Sequence, residues 1–437
     1  MSPNSETMTN SQISEQSSYY RYFVLFMLII AYTFNVIDRQ IIGILSPAIK
    51  DEMGLSDSAL GLLKGLAFAL IYSLMSIPVA WLSDQKNRKN IISIALFVWS
   101  ASTALASVAT SFTHLIISRI GVGLGESGCT PPSHSIISDY FPKNQLARAL
   151  SVYALAVPIG SVIAYIGGGI ILDHFDWRYA FLILGVPGVV FALLFNLLVK
   201  EPSRGTSQKS LKMIKEPSTN HYFKDLFKIL SSPSYWGMTI GFTLIMVVMY
   251  GIGAWTLDYY HRAFDMTYTE ISVPIGLIQL VAVGIGIIMG GILTDKIANK
   301  NKSIYALMPA FGAFISIPSI YFAFQLDDFF MAMVWYTPMQ VGQGLMFGAG
   351  FAVIQLLAPP SHRAMSIAVF LMVMNIGGMG LGPVWIGVIS DMLLSSHGEV
   401  VGLRIAIFST MGILILAVFI LIWTARRMPD DLARVEE

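Results

Sequence analysis

Residues 200–233 read KEPSRGTSQKSLKMIKEPSTNHYFKDLFKILSSP, and they form the only long polar interruption in the chain. On both sides of this stretch, apolar runs of about 20 residues follow one another, which is the length that a helix needs to cross the hydrocarbon core of a bilayer. Six runs precede the interruption and six follow it. The sequence therefore predicts an all-α membrane protein with two sets of six transmembrane helices.

The predicted spans divide the chain into five parts. The spans are 22–49, 59–82, 90–110, 113–138, 146–172, 178–199, 234–260, 270–294, 303–325, 329–357, 363–390 and 402–425. They give an N-terminal six-helix bundle at 21–199 and a C-terminal one at 234–425, joined by the cytoplasmic linker 200–233. Residues 1–20 lack a basic start followed by an apolar run, so we expect a disordered cytoplasmic tail and no signal peptide. Residues 426–437 form a second cytoplasmic tail.

The composition argues against several other classes of protein. Of 437 residues, 55% are hydrophobic and 12% are charged, whereas an average soluble domain carries about 25% charged residues. The formal net charge of +1 argues against a nucleic-acid partner, which needs a basic face. Cys129 is the single cysteine, so no internal disulfide forms, and no Cys/His cluster suggests a metal or a cofactor. We expect the lipid bilayer as the main partner and a monomer within it.

Lys and Arg residues are distributed unevenly between the predicted loops. With the N-terminus in the cytoplasm, 20 of them lie on the cytoplasmic side. The opposite side holds Lys50, Arg178, Arg262 and Arg404. Because cytoplasmic loops carry an excess of Lys and Arg, we predict a multi-pass protein of the inner (plasma) membrane with both termini in the cytoplasm.

Part of the linker has helical periodicity. The segment HYFKDLFKIL at 221–230 alternates apolar and basic residues at helical spacing. This pattern suits a short amphipathic helix that lies on the membrane surface. An ordinary linker with a hydrophobic patch remains the alternative.

The two halves of the chain also repeat each other. Gly65-Leu66, Leu82, Asp84 and Lys89 recur 211 residues later as Gly276-Leu277, Leu293, Asp295 and Lys300. Internal duplication is common in transporter folds. The repeat therefore predicts two pseudo-symmetric bundles.

Charged residues inside the predicted spans are the informative exceptions, since each costs about 2.5–3.5 kcal/mol at the bilayer centre. Asp38 and Arg39 lie in the first span, and Arg119 and Glu126 lie in the fourth, seven residues apart and so on one face. Two acids and two bases on helices that meet would bind protons and relay charge, because burial favours a protonated carboxylate and a neighbouring Arg favours the ionised one. The alternative is permanent salt bridges that hold the two helices together.

A few other residues are candidates for contact with a substrate. Lys64 near the outer end of the second span would attract an anionic group, although a lysine this close to an interface can also extend its amine into the interface. In the second half, Tyr250, Trp255, Tyr259 and Trp335 would suit an amphipathic substrate if they face a cavity. Ordinary helix packing is the alternative, and it explains most such residues.

The loop after the second span combines an acid with a cluster of cations. Asp84, Arg88 and Lys89 can pair with neighbouring helix termini and with Asp139 or Arg148. Such contacts would close the cytoplasmic face in one conformation and break in the other. Anchoring of the loop by its positive charges is the alternative.

These motifs resemble those of the major facilitator superfamily and, within it, the Spinster family of lysolipid and sphingolipid transporters. The resemblance covers about residues 22–425 and is strongest in the first half. It rests on Asp38-Arg39, Asp84 with Asn87-Arg88-Lys89, Arg119-x-x-x-Gly123-x-Gly125-Glu126, Val157-Pro158-Ile159-Gly160-Ser161, Glu201-Pro202-x-Arg204-Gly205 and Gly387-x-Ile389-Ser390-Asp391.

The resemblance implies alternating access between two six-helix bundles, with the substrate at their central interface. The implied proton-coupling residues are Asp38, Arg39, Arg119 and Glu126. The implied cytoplasmic gate consists of Asp84, Arg88 and Lys89. The chain departs from the family at Gln85, where the family loop has Arg, and at Thr256-Leu257, which replaces Ala-Pro near the expected lipid entrance.

We therefore expect a proton-coupled secondary transporter of an amphipathic anion, such as a lysophospholipid or a sphingosine-phosphate-like lipid. Transport of a small organic or aromatic acid is the alternative, with Lys64, Arg119 and Arg39 holding its carboxylate. A non-transporting membrane sensor is a third hypothesis, and the short tails speak against it. The H-x-x-x-x-D spacing of His134 and Asp139 resembles an enzyme motif, but this spacing is common by chance. We therefore expect no enzymatic activity.

Overall fold

A computed structural model describes residues 10–203, 232–358 and 363–436 of the chain. Within these ranges the chain is almost entirely helical and contains no β-strand. The predicted linker helix at 221–230 lies outside the described residues.

The described residues form twelve long helical segments. In the N-terminal half these are α1 (Asn10–Met53), α2 (Asp57–Gln85), α3 (Arg88–Ala106), α4 (Phe112–Glu126 and Thr130–Tyr140), α5 (Lys143–Ala154 and Ala156–His174) and α6 (Trp177–Leu198). In the C-terminal half they are α7 (Pro233–Ala263), α8 (Tyr268–Ala298), α9 (Ile304–Gln325), α10 (Phe329–Leu356), α11 (from Arg363) and α12 (to Glu436). Gly398, with a φ of 75°, divides α11 from α12, and glycine adopts this left-handed conformation without a steric penalty.

The lengths of these helices match a bilayer. Nine helical stretches among the described residues are long and apolar enough to cross a membrane, and the last of them, Met365–Ala433, contains both α11 and α12. Helices α4 and α10 take the fourth position in each half. The all-α architecture with two sets of six helices agrees with the expectation from the apolar runs.

The two ends of the bundle differ in how the halves meet. We call the end with residues 85–88 and 200 the linker end, and the end with residues 54–56 and 264–267 the far end. A continuous buried apolar core crosses from one half to the other and includes Ile49 and Leu60 together with Trp255 and Tyr260. A separate cluster around Phe195 fills the N-terminal half toward the linker end.

Helices α2 and α11 make the closest contact between the halves. A Cβ atom at Gly65 would lie 2.6 Å from the Gly380 carbonyl oxygen, and one at Gly61 would lie 2.7 Å from the Pro383 carbonyl oxygen. Small residues spaced four apart allow helix backbones to approach in this way. Both helices also contain a π-helical turn here, at Leu62–Leu66 and Asn375–Leu381, and such turns are frequent at functional sites.

The chain ends differ from the expected tails. Helix α1 already begins at Asn10, and no Pro or Gly interrupts the sequence between Asn10 and Gly43. Helix α12 continues beyond Arg426 to Glu436, and Met428 and Leu432 are buried. Asp431 accepts a hydrogen bond from the Ser234 backbone N–H at 3.1 Å. The residues after 425 therefore pack against the start of α7.

Candidate functional site

Asp38 and Arg119 form an ion pair inside the N-terminal half. Asp38 on α1 is 3% exposed and Arg119 on α4 is 2% exposed. Arg119 Nη2 lies 3.3 Å from Asp38 Oδ1, and Nη1 donates to the Asp38 carbonyl oxygen at 3.2 Å. Thr103 on α3 donates a hydrogen bond to Asp38 Oδ2 at 2.6 Å. Both oxygens of this buried carboxylate therefore have a partner.

Arg39 and Glu126 form a second pair next to the first. Arg39 Nε donates to Glu126 Oε2 at 2.6 Å, and the guanidinium lies 4.5 Å from the centroid of the Tyr72 ring. The Arg39 side chain is 25% exposed, whereas Glu126 is fully buried. Among the described residues, Arg39 Nη2 and Glu126 Oε1 have no hydrogen-bond partner. Because such buried atoms are rare, these two mark a position that suits a proton or a polar ligand group.

Glycines in α4 explain how the four charged residues are brought together. A Cβ atom at Gly125 would lie 2.5 Å from the Trp99 backbone nitrogen, and one at Gly123 would lie 2.9 Å from the Phe68 carbonyl oxygen. Helix α4 therefore packs directly on the backbones of α3 and α2. All four charged residues lie within one half, as two ion pairs between α1 and α4. Their role in proton coupling stays a prediction.

A second group of ion pairs joins the two halves at the far end. Arg262 on α7 donates two parallel hydrogen bonds to Asp57 at the start of α2, both of 2.9 Å. Lys50 Nζ lies 3.0 Å from Asp57 Oδ1, and Ser390 on α11 donates to Asp57 Oδ2 at 2.7 Å. Bidentate Arg–carboxylate pairs are among the stronger ion pairs. Here the Arg262 and Asp57 side chains are only 9% and 5% exposed.

Lys64 and Asp258 form another ion pair between the halves. The Asp258 carboxylate on α7 accepts hydrogen bonds from Lys64 Nζ on α2 and from Ser46 Oγ on α1. The Lys64 side chain is 1% exposed and that of Asp258 is 0% exposed. The Lys64 amine also lies 3.5 Å from the centroid of the Trp255 ring, which adds a cation–π contact. In this conformation Lys64 is therefore enclosed between the halves.

Two aspartates cap helices of the opposite half in a symmetric arrangement. The Asp391 carboxylate on α11 accepts the backbone N–H groups of Asp57 and Ser58 at 2.9 and 2.7 Å, at the start of α2. The Asp173 carboxylate at the end of α5 accepts those of residues 268 and 269 at 2.8 and 2.9 Å, at the start of α8. A carboxylate at a helix N-terminus accepts hydrogen bonds from free N–H donors and interacts favourably with the positive end of the helix dipole. Both caps lie at the far end and reinforce the contact between the halves.

Sequence reasoning selected Lys64 but missed Asp57, Asp258 and Arg262 of this far-end contact. Asp258 lies in the predicted span 234–260, so the criterion that selected Asp38 would also have selected it. Asp57 and Arg262 lie just outside the predicted spans, where charged residues are ordinary. Their partnership joins residues 205 positions apart, and no local pattern signals it.

The four aromatic residues proposed from sequence do not share one site. Trp255 and Tyr259 are buried and donate hydrogen bonds to backbone carbonyl oxygens at 2.9 and 2.5 Å. Trp335 is 36% exposed and packs on the ring of a neighbouring phenylalanine. Tyr250 is 39% exposed. Among the four, Trp255 is the residue in contact with a charge of the other half, the Lys64 amine.

A third cluster surrounds Arg88 at the linker end. Arg88 is buried, and its guanidinium bonds Asp139 at 2.5 Å and Glu201 at 2.7 Å. Glu201 also accepts the Lys89 backbone N–H at 2.9 Å. These contacts hold α3 to α4 and to the start of the linker, all on the side of the N-terminal half. The other predicted gate residues, Asp84 and Arg148, are exposed.

Comparison with known proteins agrees with the helical fold. Residues 28–383 match the Major Facilitator Superfamily. The chain is 27% identical to an MFS-type efflux pump of Mycolicibacterium smegmatis, over 84% of this chain and 83% of that one. It is 26% identical to the sphingosine-1-phosphate transporter SPNS2 of Danio rerio, over 83% and 75% of the two chains.

A solved structure is similar over nearly the whole chain. It is the crystal structure of a bacterial homologue of the human lysosomal transporter Spinster, in an inward-facing and unoccupied conformation. Its sequence is 28% identical, the TM-score is 0.87, and the match covers 94% of this chain and 98% of the other. The predicted resemblance to the Spinster family and the predicted fold are both confirmed.

Proposed function

The chain belongs to the Major Facilitator Superfamily, and we propose that it is a proton-coupled secondary transporter that moves an amphipathic anion by alternating access. The observation that carries this proposal is the Arg39–Glu126 pair. Glu126 is fully buried and its Oε1 has no partner among the described residues, while the Arg39 side chain is 25% exposed. Intramembrane ionisable residues of this kind mark proton relays and substrate pathways.

The pair links a proton to an anion. Protonation of Glu126 removes the negative partner of Arg39, so that the guanidinium becomes available to a substrate anion. Loss of the proton restores the ion pair, which then competes with the substrate for Arg39. Binding of the proton and the anion is therefore mutually favourable, and such coupling is reciprocal. Asp38 and Arg119 provide a second, adjacent pair with the same chemistry.

The contacts between the halves support a conformation that is closed at the far end. The Asp57–Arg262 and Lys64–Asp258 pairs would break when that end opens. The excess of Lys and Arg at the linker end supports a cytoplasmic location for this end, in a protein of the inner (plasma) membrane. In the opposite conformation, Asp84, Arg88, Lys89, Asp139 and Arg148 would close the linker end.

The chemical class of the substrate follows from the surroundings of Arg39. A guanidinium beside the aromatic rings of Phe68 and Tyr72 suits an anionic headgroup joined to an apolar chain, such as a lysophospholipid or a sphingosine-phosphate-like lipid. A small organic or aromatic acid is the second candidate. Asn35, one turn before Arg39, is fully buried, and both polar atoms of its amide lack a partner among the described residues. An amide beside a guanidinium suits a small carboxylate.

The test is uptake into proteoliposomes that is driven by a pH gradient. We expect the protein to act there as a monomer. Lysophosphatidate and benzoate are offered in parallel to wild type, Asp38→Asn and Glu126→Gln. We expect the two variants to bind the transported compound and to lose dependence on the gradient. Asp265→Asn, an exposed loop carboxylate, is the control and should behave as wild type. If Asp38→Asn and Glu126→Gln remain fully gradient-driven, the four charges are structural and the proposal of proton coupling is wrong.

A further inference from the structure

The partners of Lys64 differ from those of the other far-end charges. Its amine contacts the Asp258 carboxylate and the Trp255 ring, and both residues belong to the C-terminal half. The lysine itself belongs to the N-terminal half, on the π-helical turn of α2. Its ion pair and its cation–π contact therefore both depend on the two halves being closed at the far end.

The neighbouring charges keep a partner inside their own half. Asp57 has Lys50 at 3.0 Å, and both residues lie in the N-terminal half. Asp258 has Arg262 at 3.3 Å, one turn further along the same helix. When the far end opens, Arg262 loses Asp57 and is then free to pair fully with Asp258. Both carboxylates thus keep a cationic partner in the open conformation.

Opening the far end leaves Lys64 as the cation that must find a new partner. Among the described residues, the carboxylate in ion-pair contact with Lys64 is that of Asp258, and in the open conformation this carboxylate moves away with α7 and has Arg262 beside it. An unpaired charge away from bulk water is costly, so the site favours an anion. The position is also two turns deeper than the start of α2, toward the middle of the bilayer.

We propose that Lys64 binds the anionic group of the substrate, a carboxylate or a phosphate monoester, in the conformation that is open at the far end. Asp258 replaces that group on Lys64 when the far end closes. This inference rests on the proposed transport function and names the residue that makes substrate binding depend on conformation. Anion binding at Lys64 and the Lys64–Asp258 pair exclude each other. A ligand that binds one conformation better shifts the protein toward it, so an anionic substrate opens the far end.

The experiment measures the distance across the far end in nanodiscs by pulsed electron paramagnetic resonance. Spin labels replace Val108 and Phe330, which are exposed in the two halves at that end. The probes are lysophosphatidate and the uncharged monoacylglycerol with the same acyl chain, followed by benzoate and benzyl alcohol. In wild type, we expect only the anion of the transported pair to increase the open population.

The decisive variants are Lys64→Gln, Lys64→Arg and the matched control Arg404→Gln. In Lys64→Gln, we expect the apparent affinity for the anion at the far end to fall about tenfold or more, as for the loss of a charged hydrogen bond. Lys64→Arg should recover most of the response, and Arg404→Gln, which removes a cation outside the cluster, should respond as wild type. Recovery by Lys64→Arg also shows that the position tolerates substitution.

Three outcomes would overturn the inference. The first is a Lys64→Gln protein whose far end still opens with the anion at the wild-type concentration. The second is an equal response of wild type to the charged and uncharged probes, even though it transports one of them. The third is an Asp258→Asn protein whose open population, measured without ligand, is no larger than that of wild type. The inference requires an increase, because the neutral side chain no longer holds Lys64 in the closed conformation. If wild type transports neither probe pair under a pH gradient, the proposed function fails instead.

Discussion

Replacing Asp57 by Asn removes one charge from the far-end contact and leaves the shape of the side chain nearly unchanged. One of the two parallel hydrogen bonds from Arg262 is lost, because an amide NH2 group cannot accept it, and the other loses its ionic character. Lys50 loses its charged partner at 3.0 Å. These interactions exist only while the far end is closed, apart from the Lys50 contact. The substitution should therefore raise the free energy of the closed conformation relative to the open one.

The size of the effect follows from the burial of the pair and from the remaining partners. Removing one member of a buried ion pair costs about 3–5 kcal/mol. Arg262 retains Asp258 at 3.3 Å, and Lys50 retains Glu399 at 3.2 Å, so we expect about 2 kcal/mol for Asp57→Asn. This corresponds to about a 30-fold shift toward the conformation that is open at the far end.

Two label pairs measure this shift in a Cys129→Ala background. Labels at Val108 and Phe330 report the far end, and labels at Asn90 and Lys300, which are exposed in the two halves, report the linker end. Asp57→Asn should lengthen the first distance and shorten the second.

The matched control is Glu399→Gln, because Glu399 belongs to the same cluster but its side chain is 56% exposed. Exposed ion pairs contribute about 0–1 kcal/mol, so this variant should shift the populations little. Equal distance distributions in wild type and Asp57→Asn would refute the reasoning, and so would an equal shift in the control.

Three further predictions concern the contacts around this core. Asp173→Asn and Asp391→Asn should each shift the same distances toward far-end opening by about 1 kcal/mol, as for a lost N-cap, and a response to only one would contradict their symmetric roles. Gly65→Val should prevent full closure, because its Cβ would lie 2.6 Å from a carbonyl oxygen, and a wild-type far-end distance would count against this. Arg88→Ala should lower the midpoint of thermal unfolding in detergent, because it removes the cationic partner of two carboxylates, and an unchanged midpoint would exclude a stabilising role.

The sequence alone was sufficient for the all-α membrane fold and for the positions of its apolar helices. Hydrophobic length is a local property, and each run of about 20 apolar residues meets the requirement of the bilayer without reference to any other run. The charged residues in the first and fourth spans could be selected in the same way, because their cost in a membrane does not depend on their partners. The spacing of Arg119 and Glu126 even placed them on one helix face.

The sequence was less informative where local patterns have two explanations. Trp255 and Trp335 occur in similar aromatic stretches, yet one is fully buried and the other is 36% exposed. The segments beyond the spans have the composition of polar tails. Helix α12 nevertheless continues into one of them, and Met428 and Leu432 are buried there. The composition of a segment limits the structures that it can form, and tertiary packing decides which residues it contacts.

Only the tertiary structure decided which charges face each other. Lys64 and Asp258 are 194 positions apart, and an ion pair requires their atoms to lie within about 4 Å. Hydropathy and spacing report on a single helix, whereas this distance depends on how α2 and α7 pack across the contact between the halves. From sequence, Lys64 was a lysine near a membrane interface. In the fold it is a buried cation whose partner belongs to the half that must move away, because close packing of the two bundles at the far end, and not any local pattern, brings the two charges together.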